Sequence, residues 1–525
     1  MGRYIIAYDL GTGGNKAALY DFMGNCLVEN FVAYPTHYPK AGWHEQRPLD
    51  WWQAVIQSTH SLLHESGIDP DEIECLGISG HSLGVVPMDK NGTLLRDMTP
   101  IWSDSRSTFQ ASTFFEKVNE VEWYQVTGNG FPAALYSVFK IMWYRDNEPA
   151  MFEKISKVIG TKDYINYRFT GNIVTDYSYA SGSGVYDLTS WAYSERFINA
   201  SGLSKDIFPE IIPSTGLVGV LTHHAAEDLG LPAGVKIYAG GVDNSCMALG
   251  ARNIKEGRIY NSQGSSSWIA VTSSKPILDN RIRPFVFTHV MPGLFNSAVP
   301  VFSSGTSFRW VRDQICQDLI IQAHEQGLDV YDLMTDQASK ADVGSQGLIF
   351  NPNLAGGSLV DDSTNIRGAY FGLDLGHTQA DLIRSAMEGI AMETRLALDG
   401  LRRMMAVGDE IFVVGGGSRS KLWRQIYADV YNMRIIKTNI DQQCAALGAA
   451  GLAAVGAGIW ANFEVIDSVH KVEDITEPDP QNKAIYEKIY PIFIRGMHYL
   501  SEIGDMTTGL NLTRSNTHHG MLPTS

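Results

Sequence analysis

Short apolar runs alternate with turn residues over the first 40 positions, a pattern typical of antiparallel strands. The apolar runs are residues 4–8, 17–20 and 27–33. A glycine-rich turn at residues 11–14 separates the first two runs, and Gly24-Asn25 separates the second from the third. The pattern therefore predicts a meander of three strands whose first connection is a turn of small residues.

Helical periodicity follows at residues 50–65, where apolar side chains recur every three or four positions and Asp50 stands where an N-cap is expected. A buried helix is predicted over 379–401, and the Ala- and Gly-rich segment 445–458 favours a closely packed one. Strands are predicted at 75–78, ending in Ser79-Gly80-His81, and at 236–239, ending in the run 240–243.

The strand, small-residue turn, strand device occurs a second time. Strands are predicted at 258–262 and 268–272, around the turn 263–267. Two such hairpins roughly 250 residues apart favour a duplicated domain with one phosphate loop in each copy, the two loops facing each other across a cleft. Further on, a strand at 411–414 runs into Gly415-Gly416-Gly417-Ser418, and a helix is predicted at 421–431.

Length and charge narrow the class of protein. A chain of 525 residues exceeds what one hydrophobic core usually supports, so we expect two domains, residues 1–250 and 251–510, followed by a flexible tail, 511–525. The net charge of −16 argues against a nucleic-acid surface, so backbone N–H groups and a metal ion must meet any phosphate. No long apolar stretch is present, which predicts a soluble, cytoplasmic protein without a membrane partner.

The segment Asp9 to Lys16, DLGTGGNK, carries the strongest chemical signal. It is not a Walker A loop, because GxxxxGK(S/T) is absent, and it is not a dinucleotide fingerprint, because a strand rather than a helix follows it. Its small residues allow backbone N–H groups to converge on phosphate oxygens, while Thr12 adds a hydroxyl and Lys16 a positive charge. Asp9, at the end of a strand, is placed to hold Mg²⁺. The alternative is an ordinary hairpin turn with a satisfied aspartate.

Two later segments are consistent with the same chemistry. Asp243 follows two glycines at a strand end, where a carboxylate can accept the proton of an attacking hydroxyl, although it could also simply cap the helix predicted after it. The turn 415–418 could let adenine lie against the backbone or could be a tight turn only. The order of the four features along the chain favours the functional interpretation.

Taken together, these features resemble the FGGY carbohydrate kinases, members of the actin, Hsp70 and hexokinase superfamily. Additional matching segments extend the resemblance along most of the chain; they are residues 42–48 with Trp51-Trp52, 100–104, 162–164, 175–177, 352–356 and 367–373. The resemblance implies an α/β fold of two actin-like (ribonuclease H-like) domains with a catalytic cleft between them. It also implies ATP and Mg²⁺ as cofactors and a small sugar or polyol as substrate.

The resemblance also assigns roles to residues. It implies that Asp243 is the catalytic base and that Asp9 binds the metal. Nucleotide and phosphate contacts are expected from Gly11, Thr12, Asn15, Lys16, Gly264, Ser265, Gly305, Arg309, Gly416 and Ser420. Sugar contacts are expected from His81, Ser82, Leu83, Trp102, Asp104 and Asn244.

The substrate is less well defined by the resemblance. Xylulose kinases typically carry Gln-Met-His, and glycerol kinases Gln-Arg-Glu, where this chain has His81-Ser82-Leu83. We expect a pentulose such as xylulose, with erythritol, ribulose and glycerol left open, and His81 could instead be a satisfied strand-end histidine. An actin- or Hsp70-like ATPase and a catalytically inactive sugar sensor are the rival functions, and a homodimer stays open.

Overall fold

The computed structural model describes residues 3–358, 360–508 and 510. The predicted tail, 511–525, lies outside the described residues. Two seven-stranded sheets organise the chain. The strands of the first sheet are Tyr4–Leu10, Gly14–Asp21, Cys26–Ala33, Ile73–Gly80, Leu217–Val220, Lys236–Tyr238 and Gly241–Val242. Those of the second are Ile259–Gln263, Ser267–Ser273, Phe285–Thr288, Phe295–Val301, Glu410–Val414, Arg434–Thr438 and Val472–Thr476.

Strand pairing in the first sheet brings three strand ends to one edge. The predicted meander is confirmed, with Tyr4–Leu10 antiparallel to Gly14–Asp21 and that strand antiparallel to Cys26–Ala33. Ile73–Gly80 runs parallel to the first strand and pairs Ser79 with Asp9, and Gly241–Val242 runs parallel to Ile73–Gly80. The carboxyl ends of these parallel strands therefore meet, as in other α/β sheets where ligands bind.

The second sheet contains the second predicted hairpin. Ile259–Gln263 and Ser267–Ser273 are antiparallel and close with Gln263 opposite Ser267. Glu410–Val414 runs parallel to Ile259–Gln263 and pairs Val414 with Ser262. Phe295–Val301 and Phe285–Thr288 extend the other side of the hairpin, and Arg434–Thr438 and Val472–Thr476 complete the sheet.

Alternating side chains of the first strand enter two different cores, as the two-residue period of a strand requires. Ile6, Tyr8 and Leu10 pack in the core formed with the helix Pro48–Ser66. Ile5 and Ala7 point to the opposite face and share a core with the helix Cys444–Gly456. The first sheet is therefore covered on one face by a helix encoded near the end of the chain.

Two helices between the sheets cross at contacts that only glycine permits. A Cβ on Gly250 would lie 1.8 Å from the carbonyl oxygen of Cys444, and one on Gly448 would lie 2.0 Å from that of Cys246. These glycines belong to Asp243–Gly250 and Cys444–Gly456, and Tyr260 and Ala270 of the second sheet join the same core. The crossing joins the two sheets through one continuous hydrophobic cluster.

Other helices and strands are present in both halves of the chain. In the first half they are Glu45–Gln46, Val86–Met88, Thr99–Pro100, Thr108–Phe115, Glu120–Thr127, Ser137–Asn147, Pro149–Phe152, Lys157–Ile159, Thr161–Thr170, Val174–Asp176, Tyr177–Ala180, Tyr186–Asp187, Ala192–Tyr193, Glu195–Ser201, Glu210–Ile212 and His223–Leu229. In the second half they are Gly305–Ile315, Gln317–Gln326, Val330–Ala338, Ile349–Asn351, Ala369–Phe371, Gln379–Met404, Lys421–Tyr431, Val465–Val469 and Pro480–Thr508.

The structure confirms the predicted α/β class and corrects one helix start. The first helix begins at Pro48 with Arg47 as its N-cap, so Asp50 lies in the first turn and does not cap. Pro48 defines the start because proline suits the first helical turn, where no N–H donor is needed. Across the described residues, no helix is both long and apolar enough to cross a bilayer.

Candidate active site

Asp9 and Asp243 lie at the sheet edge where the parallel strands end. Asp9 Oδ1 accepts a hydrogen bond of 3.0 Å from the hydroxyl of Ser79 on the neighbouring strand. Asp243 is the first residue of its helix, and its Oδ1 accepts from the backbone N–H of Asn244 at 2.8 Å and from the Asn244 amide at 3.2 Å. The site thus holds two carboxylates on two elements, each with few protein partners.

Burial raises the proton affinity of both carboxylates, and the charge of Asp9 raises that of Asp243 further. Burial, and then the charge of Asp9, raise the pKa of Asp243 to about 7, against a smaller opposing effect of the Asn244 N–H. Burial also raises the pKa of Asp9, which the Ser79 hydroxyl and the charge of Lys16 counteract. A carboxylate that titrates near neutrality can take up and release a proton during turnover, as a general base must.

A buried polar network holds the strand that precedes Asp243. The backbone N–H of Val242 donates to the Ser178 hydroxyl at 2.9 Å, and that hydroxyl donates to Asp176 Oδ2 at 2.5 Å. Lys162, itself buried, forms ion pairs with Asp176 at 3.0 Å and with Asp163 at 2.6 Å. Burial alone would lower the pKa of Lys162, but the two carboxylates raise it. The network fixes the backbone one residue before the candidate base.

The first hairpin forms hydrogen bonds with residues of both halves of the chain. Thr12 Oγ1 accepts a hydrogen bond of 2.8 Å from the indole of Trp102, and its carbonyl accepts one of 2.7 Å from Gln46. Lys16 Nζ donates to the backbone carbonyl of Gln442 at 2.9 Å, although 426 residues separate them. Lys16 therefore reaches across to the second half of the chain in this structure.

Asn15 is placed differently from the prediction. Its side chain is fully buried, and Nδ2 donates to the Ser58 hydroxyl on the first helix at 2.8 Å. The two-residue period of a strand explains this orientation, because Asn15 follows Gly14 into the sheet on the face covered by that helix. The Asn15 side chain is consequently unable to contact a phosphate, and the predicted contact is corrected to its backbone alone.

The predicted sugar segment is mostly turned into the protein. His81 is 1% exposed, and burial lowers its pKa to about 4, so the ring is neutral. Both ring nitrogens lie 3.3–3.4 Å from the Thr161 hydroxyl. Leu83 is buried among apolar side chains with a backbone φ of 61°, in the left-handed region. The alternative of a satisfied strand-end histidine therefore fits His81 better than a sugar contact does.

Asp104 is a structural ion-pair residue in this fold, which corrects its predicted role in sugar binding. Its two oxygens accept from the backbone N–H groups of His44 and Arg106 and from Nε and Nη2 of Arg106. The Asp104 and Arg106 side chains are both 0% exposed. Trp102, by contrast, is partly exposed and remains available, as does Asn244 beside the candidate base.

A cavity of about 450 Å³ opens beside the second hairpin. It brings together all six residues of the second half that were predicted to bind nucleotide, namely Gly264, Ser265, Gly305, Arg309, Gly416 and Ser420. Gln442, the partner of Lys16, also lines it. The cavity therefore adjoins the first hairpin as well, which agrees with the expectation that two phosphate loops face each other.

Glycine is required where the cavity backbone turns. A Cβ on Gly305 would lie 2.3 Å from the carbonyl oxygen of Gly264, so the helix Gly305–Ile315 can begin directly against the hairpin turn. Gly415 has a φ of 93°, and a Cβ on Gly417 would lie 2.4 Å from Gln263 Oε1. These positions leave exposed backbone, which is the surface that phosphates and flat rings approach.

Sequence reasoning missed the aromatic and acidic walls of the cavity. Phe308, Tyr331, Trp423 and Tyr427 line it, with the rings of Trp423 and Tyr427 stacked at 5.4 Å. Asp329 and Asp332 also line it. The signal that could have found Phe308 is its place one turn into the helix after Gly305, whereas no motif marks the segment 329–335.

The twin hairpins, the sheets bridged by two crossing helices and the cavity beside the second hairpin place the chain in the actin-like class of α/β proteins. Family comparison makes the assignment specific. The model for the N-terminal domain of the FGGY family of carbohydrate kinases matches residues 4–250, and that for its C-terminal domain matches residues 259–457. The chain belongs to this family and is a carbohydrate kinase.

Individual relatives resemble nearly the whole chain. A xylulose kinase of Bacillus subtilis is 29% identical over 98% of this chain and 100% of its own. A gluconokinase of Bacillus licheniformis is also 29% identical, over 94% of this chain and 95% of its own. The crystal structure of a ligand-bound xylulose kinase from Lactobacillus acidophilus superimposes with a TM-score of 0.87 at 25% identity, over 96% of this chain and 99% of that one.

Proposed function

We propose that this kinase transfers the γ-phosphoryl group of ATP to a hydroxyl of a neutral ketose or polyol, with a pentulose such as xylulose as the preferred acceptor. The observation that carries the proposal is the placement of Asp243, a carboxylate with a pKa of about 7, beside Asp9 at the sheet edge. The similarity to xylulose kinases supports the pentulose.

Asp243 acts as the general base in the proposed reaction. Its carboxylate accepts the proton of the acceptor hydroxyl while that oxygen forms a bond to the γ-phosphorus and the bond to the ADP oxygen breaks. The network through Ser178 and Asp176 keeps the backbone before Asp243 fixed, so the carboxylate meets the hydroxyl in one orientation. Asn244, which donates to Asp243, stabilises the carboxylate before the proton is taken up.

The nucleotide is proposed to occupy the 450 Å³ cavity, its phosphates directed towards the first hairpin. Gly264, Ser265 and Gly305 offer close backbone, and the aromatic wall suits a purine ring. Asp9 fits the role of a Mg²⁺ partner, because hard cations prefer carboxylate oxygens and, among the described residues, its carboxylate accepts a hydrogen bond from Ser79 alone. When bound, the ion neutralises phosphate charge during transfer.

The charges near the predicted sugar segment favour a neutral acceptor over an aldonate such as gluconate. Arg106 is neutralised by Asp104 and Glu45, at 2.8 and 2.7 Å. The ammonium of Lys140 is buried and donates to backbone carbonyls. Because both cations are already committed, neither is free to pair with a sugar carboxylate, and we assign neutral sugar contacts to Trp102, Ser82 and Asn244.

We add proposals on the domain division, the localisation and the partner. We propose that the domains divide near residue 250, as the family matches on either side of 250–259 support. We also propose that the protein is cytoplasmic and that its partner is a small-molecule sugar or polyol. The homodimer stays a hypothesis.

A coupled ADP-release assay with a panel of acceptors tests the proposal. The assay compares kcat/KM for D-xylulose, D-ribulose, L-ribulose, erythritol, glycerol and D-gluconate. The same assay is run on Asp243→Asn, which removes the proposed base. We expect a neutral ketopentose to be best and the variant to lose roughly two to four orders of magnitude in kcat while still binding ATP. Gluconate as the best acceptor would overturn the neutral-sugar proposal, and ADP release unaffected by every acceptor would favour the rival ATPase.

A further inference from the structure

We propose that Lys140 is a positioning residue that fixes the acceptor side of the site by joining the two segments predicted to bind sugar. The inference rests on the proposed function and names a determinant of acceptor binding within it. It concerns residues 81–84 and 101–104, which come from different parts of the chain and must keep a fixed spacing if one acceptor is to contact both.

Lys140 donates to carbonyl oxygens of both segments. Its Nζ lies 3.1 Å from the carbonyl of Leu83, 2.6 Å from that of Ile101 and 3.5 Å from that of Trp102. In the described part of the chain, all three acceptors are backbone groups. A protonated amine has three N–H donors directed away from one another, so a single side chain can link several carbonyls. The Ile101 carbonyl also accepts from the backbone N–H of Asp104 at 3.1 Å.

The same helix makes a second contact with the first segment. One turn after Lys140, the hydroxyl of Tyr144 donates to the carbonyl of Val85 at 3.0 Å. Residues four apart lie on one face of a helix, so Lys140 and Tyr144 act together along residues 83–85. The helix Ser137–Asn147 thus holds the first segment at two points, and among its hydrogen bonds in the described residues those of Lys140 also reach the second segment.

Leu83 needs such a restraint. Its φ of 61° places a non-glycine residue in the left-handed region, a conformation that persists only where the surroundings enforce it. The bond from Lys140 to the Leu83 carbonyl supplies one such restraint, and the burial of the side chain among apolar groups supplies another. This backbone sets the positions of its neighbours Ser82 and Gly84.

The second segment passes the restraint on to the phosphate hairpin. Trp102, whose carbonyl lies 3.5 Å from Lys140, donates through its indole to the Thr12 hydroxyl at 2.8 Å. The chain of contacts therefore runs from the acceptor segments to the turn predicted to meet the phosphate. Misplacement of Trp102 would disturb acceptor binding first and phosphate alignment only through Thr12.

The setting of Lys140 is unusual for a lysine, because its side chain is 0% exposed. Burial lowers its pKa to about 7, while the charge of Asp104 raises it and that of Arg106 lowers it further. Stability alone does not require a buried lysine, because an apolar side chain of similar volume often stabilises a fold equally well. Its hydrogen bonds to the two segments give the amine a role that an apolar side chain lacks.

The test compares Lys140→Met, which keeps the length of the stem and removes the donors, with Lys157→Met as matched control. Lys157 also donates to two carbonyls of the same half, those of Asp206 and Phe208, but away from the cleft. We expect Lys140→Met to raise the KM for D-xylulose roughly tenfold or more and to change the KM for ATP less than twofold. The control should leave both constants within twofold of wild type.

A purely structural role would give a different result. If Lys140→Met lowered the melting temperature but left the acceptor KM unchanged, or raised both KM values equally, the proposal would be overturned. A wild-type enzyme that phosphorylates none of the acceptors would contradict the proposed function itself, so the two failures are distinguishable.

A second variant covers the case in which Lys140→Met does not fold. Lys140→Gln keeps an amide donor and should lie between wild type and Met in acceptor KM. Hydrogen–deuterium exchange of the full-length Lys140→Gln variant should be faster than that of wild type in residues 81–85 and 101–104. Exchange in residues 421–431 should be the same in both proteins. Unchanged exchange in both acceptor segments would overturn the proposal.

Discussion

The backbone N–H of Val242 donates a hydrogen bond of 2.9 Å to the hydroxyl of Ser178, one residue before the candidate base. The same hydroxyl donates to Asp176, so a single oxygen joins the strand before Asp243 to the buried ion pair between Asp176 and Lys162. Because Ser178 is fully buried, we expect it to act on catalysis through the backbone that it holds.

Ser178→Ala should therefore lower kcat about tenfold and leave both KM values within twofold. The variant leaves the buried N–H of Val242 without an acceptor, a loss of roughly 1–3 kcal/mol. It also frees the strand that precedes Asp243. Steady-state kinetics measure the effect. Ser183→Ala removes another buried hydroxyl that accepts from a backbone N–H, that of Val185, and should keep wild-type kcat. Equal losses in the two variants would contradict the positioning role.

Asp243→Asn should make the protein more stable than wild type, by an amount that grows between about pH 4 and pH 7. The folded pKa, about 7, lies above the ordinary 3.8, so the folded state holds a proton that the unfolded chain has released in this range. Wild-type stability consequently falls as the pH rises through the window, and asparagine removes that dependence. Above pH 7 the difference should level off at ~2–4 kcal/mol.

The measurement for this prediction is urea denaturation of both proteins from pH 4 to pH 9 with EDTA present. EDTA keeps metal ions from binding beside Asp9 and changing the titration. A difference in stability that stays constant over the whole range would show that Asp243 titrates near its ordinary pKa.

Asp9→Asn should raise the Mg²⁺ concentration needed for half-maximal activity at least tenfold, because the amide offers the cation no negative charge. Acceptor affinity, measured by calorimetry without nucleotide, should stay within twofold, since the acceptor contacts lie on other segments. Asp21→Asn offers a comparison in the same sheet, because Asp21 only receives turn hydrogen bonds from residues 23 and 25. A matching loss of acceptor affinity in Asp9→Asn would disprove the metal assignment.

Asp104→Asn should destabilise the fold rather than relax acceptor specificity. The carboxylate pairs with Arg106 in a buried site, and breaking such a pair costs about 3–5 kcal/mol, reduced here because Glu45 also pairs with Arg106. Asp97→Asn is the exposed counterpart, because its ion pair with Arg47 is solvent-accessible and contributes little to stability. Denaturation curves and kcat/KM ratios for xylulose over glycerol distinguish the two roles. A changed ratio with unchanged stability would restore Asp104 to the sugar site.

Local pattern was enough to predict both hairpins and the closely packed helix, expected at 445–458 and found at Cys444–Gly456, because strand alternation and small-residue content are encoded within a few residues of one another. The six residues of the second half that the sequence predicted to bind nucleotide also line one cavity. Local pattern did not predict the environment of Asp104. Its carboxylate accepts hydrogen bonds from His44, 60 residues away, and from Arg106. Likewise, the residues around Asn15 in the sequence do not indicate that its side chain donates to Ser58 on the first helix. Partners brought together by tertiary packing decide which polar groups stay free.

The helix Cys444–Gly456 has a consequence for how the chain is made. Every strand of the first sheet has been synthesised once Val242 has left the ribosome, yet one face of that sheet packs on a helix encoded roughly 200 residues later. Until then Ile5, Ala7 and Cys75 have no such partner, and a chaperone that binds apolar strands would find a target there. A fragment ending at residue 250 should accordingly aggregate alone and be rescued when the remainder is co-expressed, so the two family domains are separable in sequence but mature together.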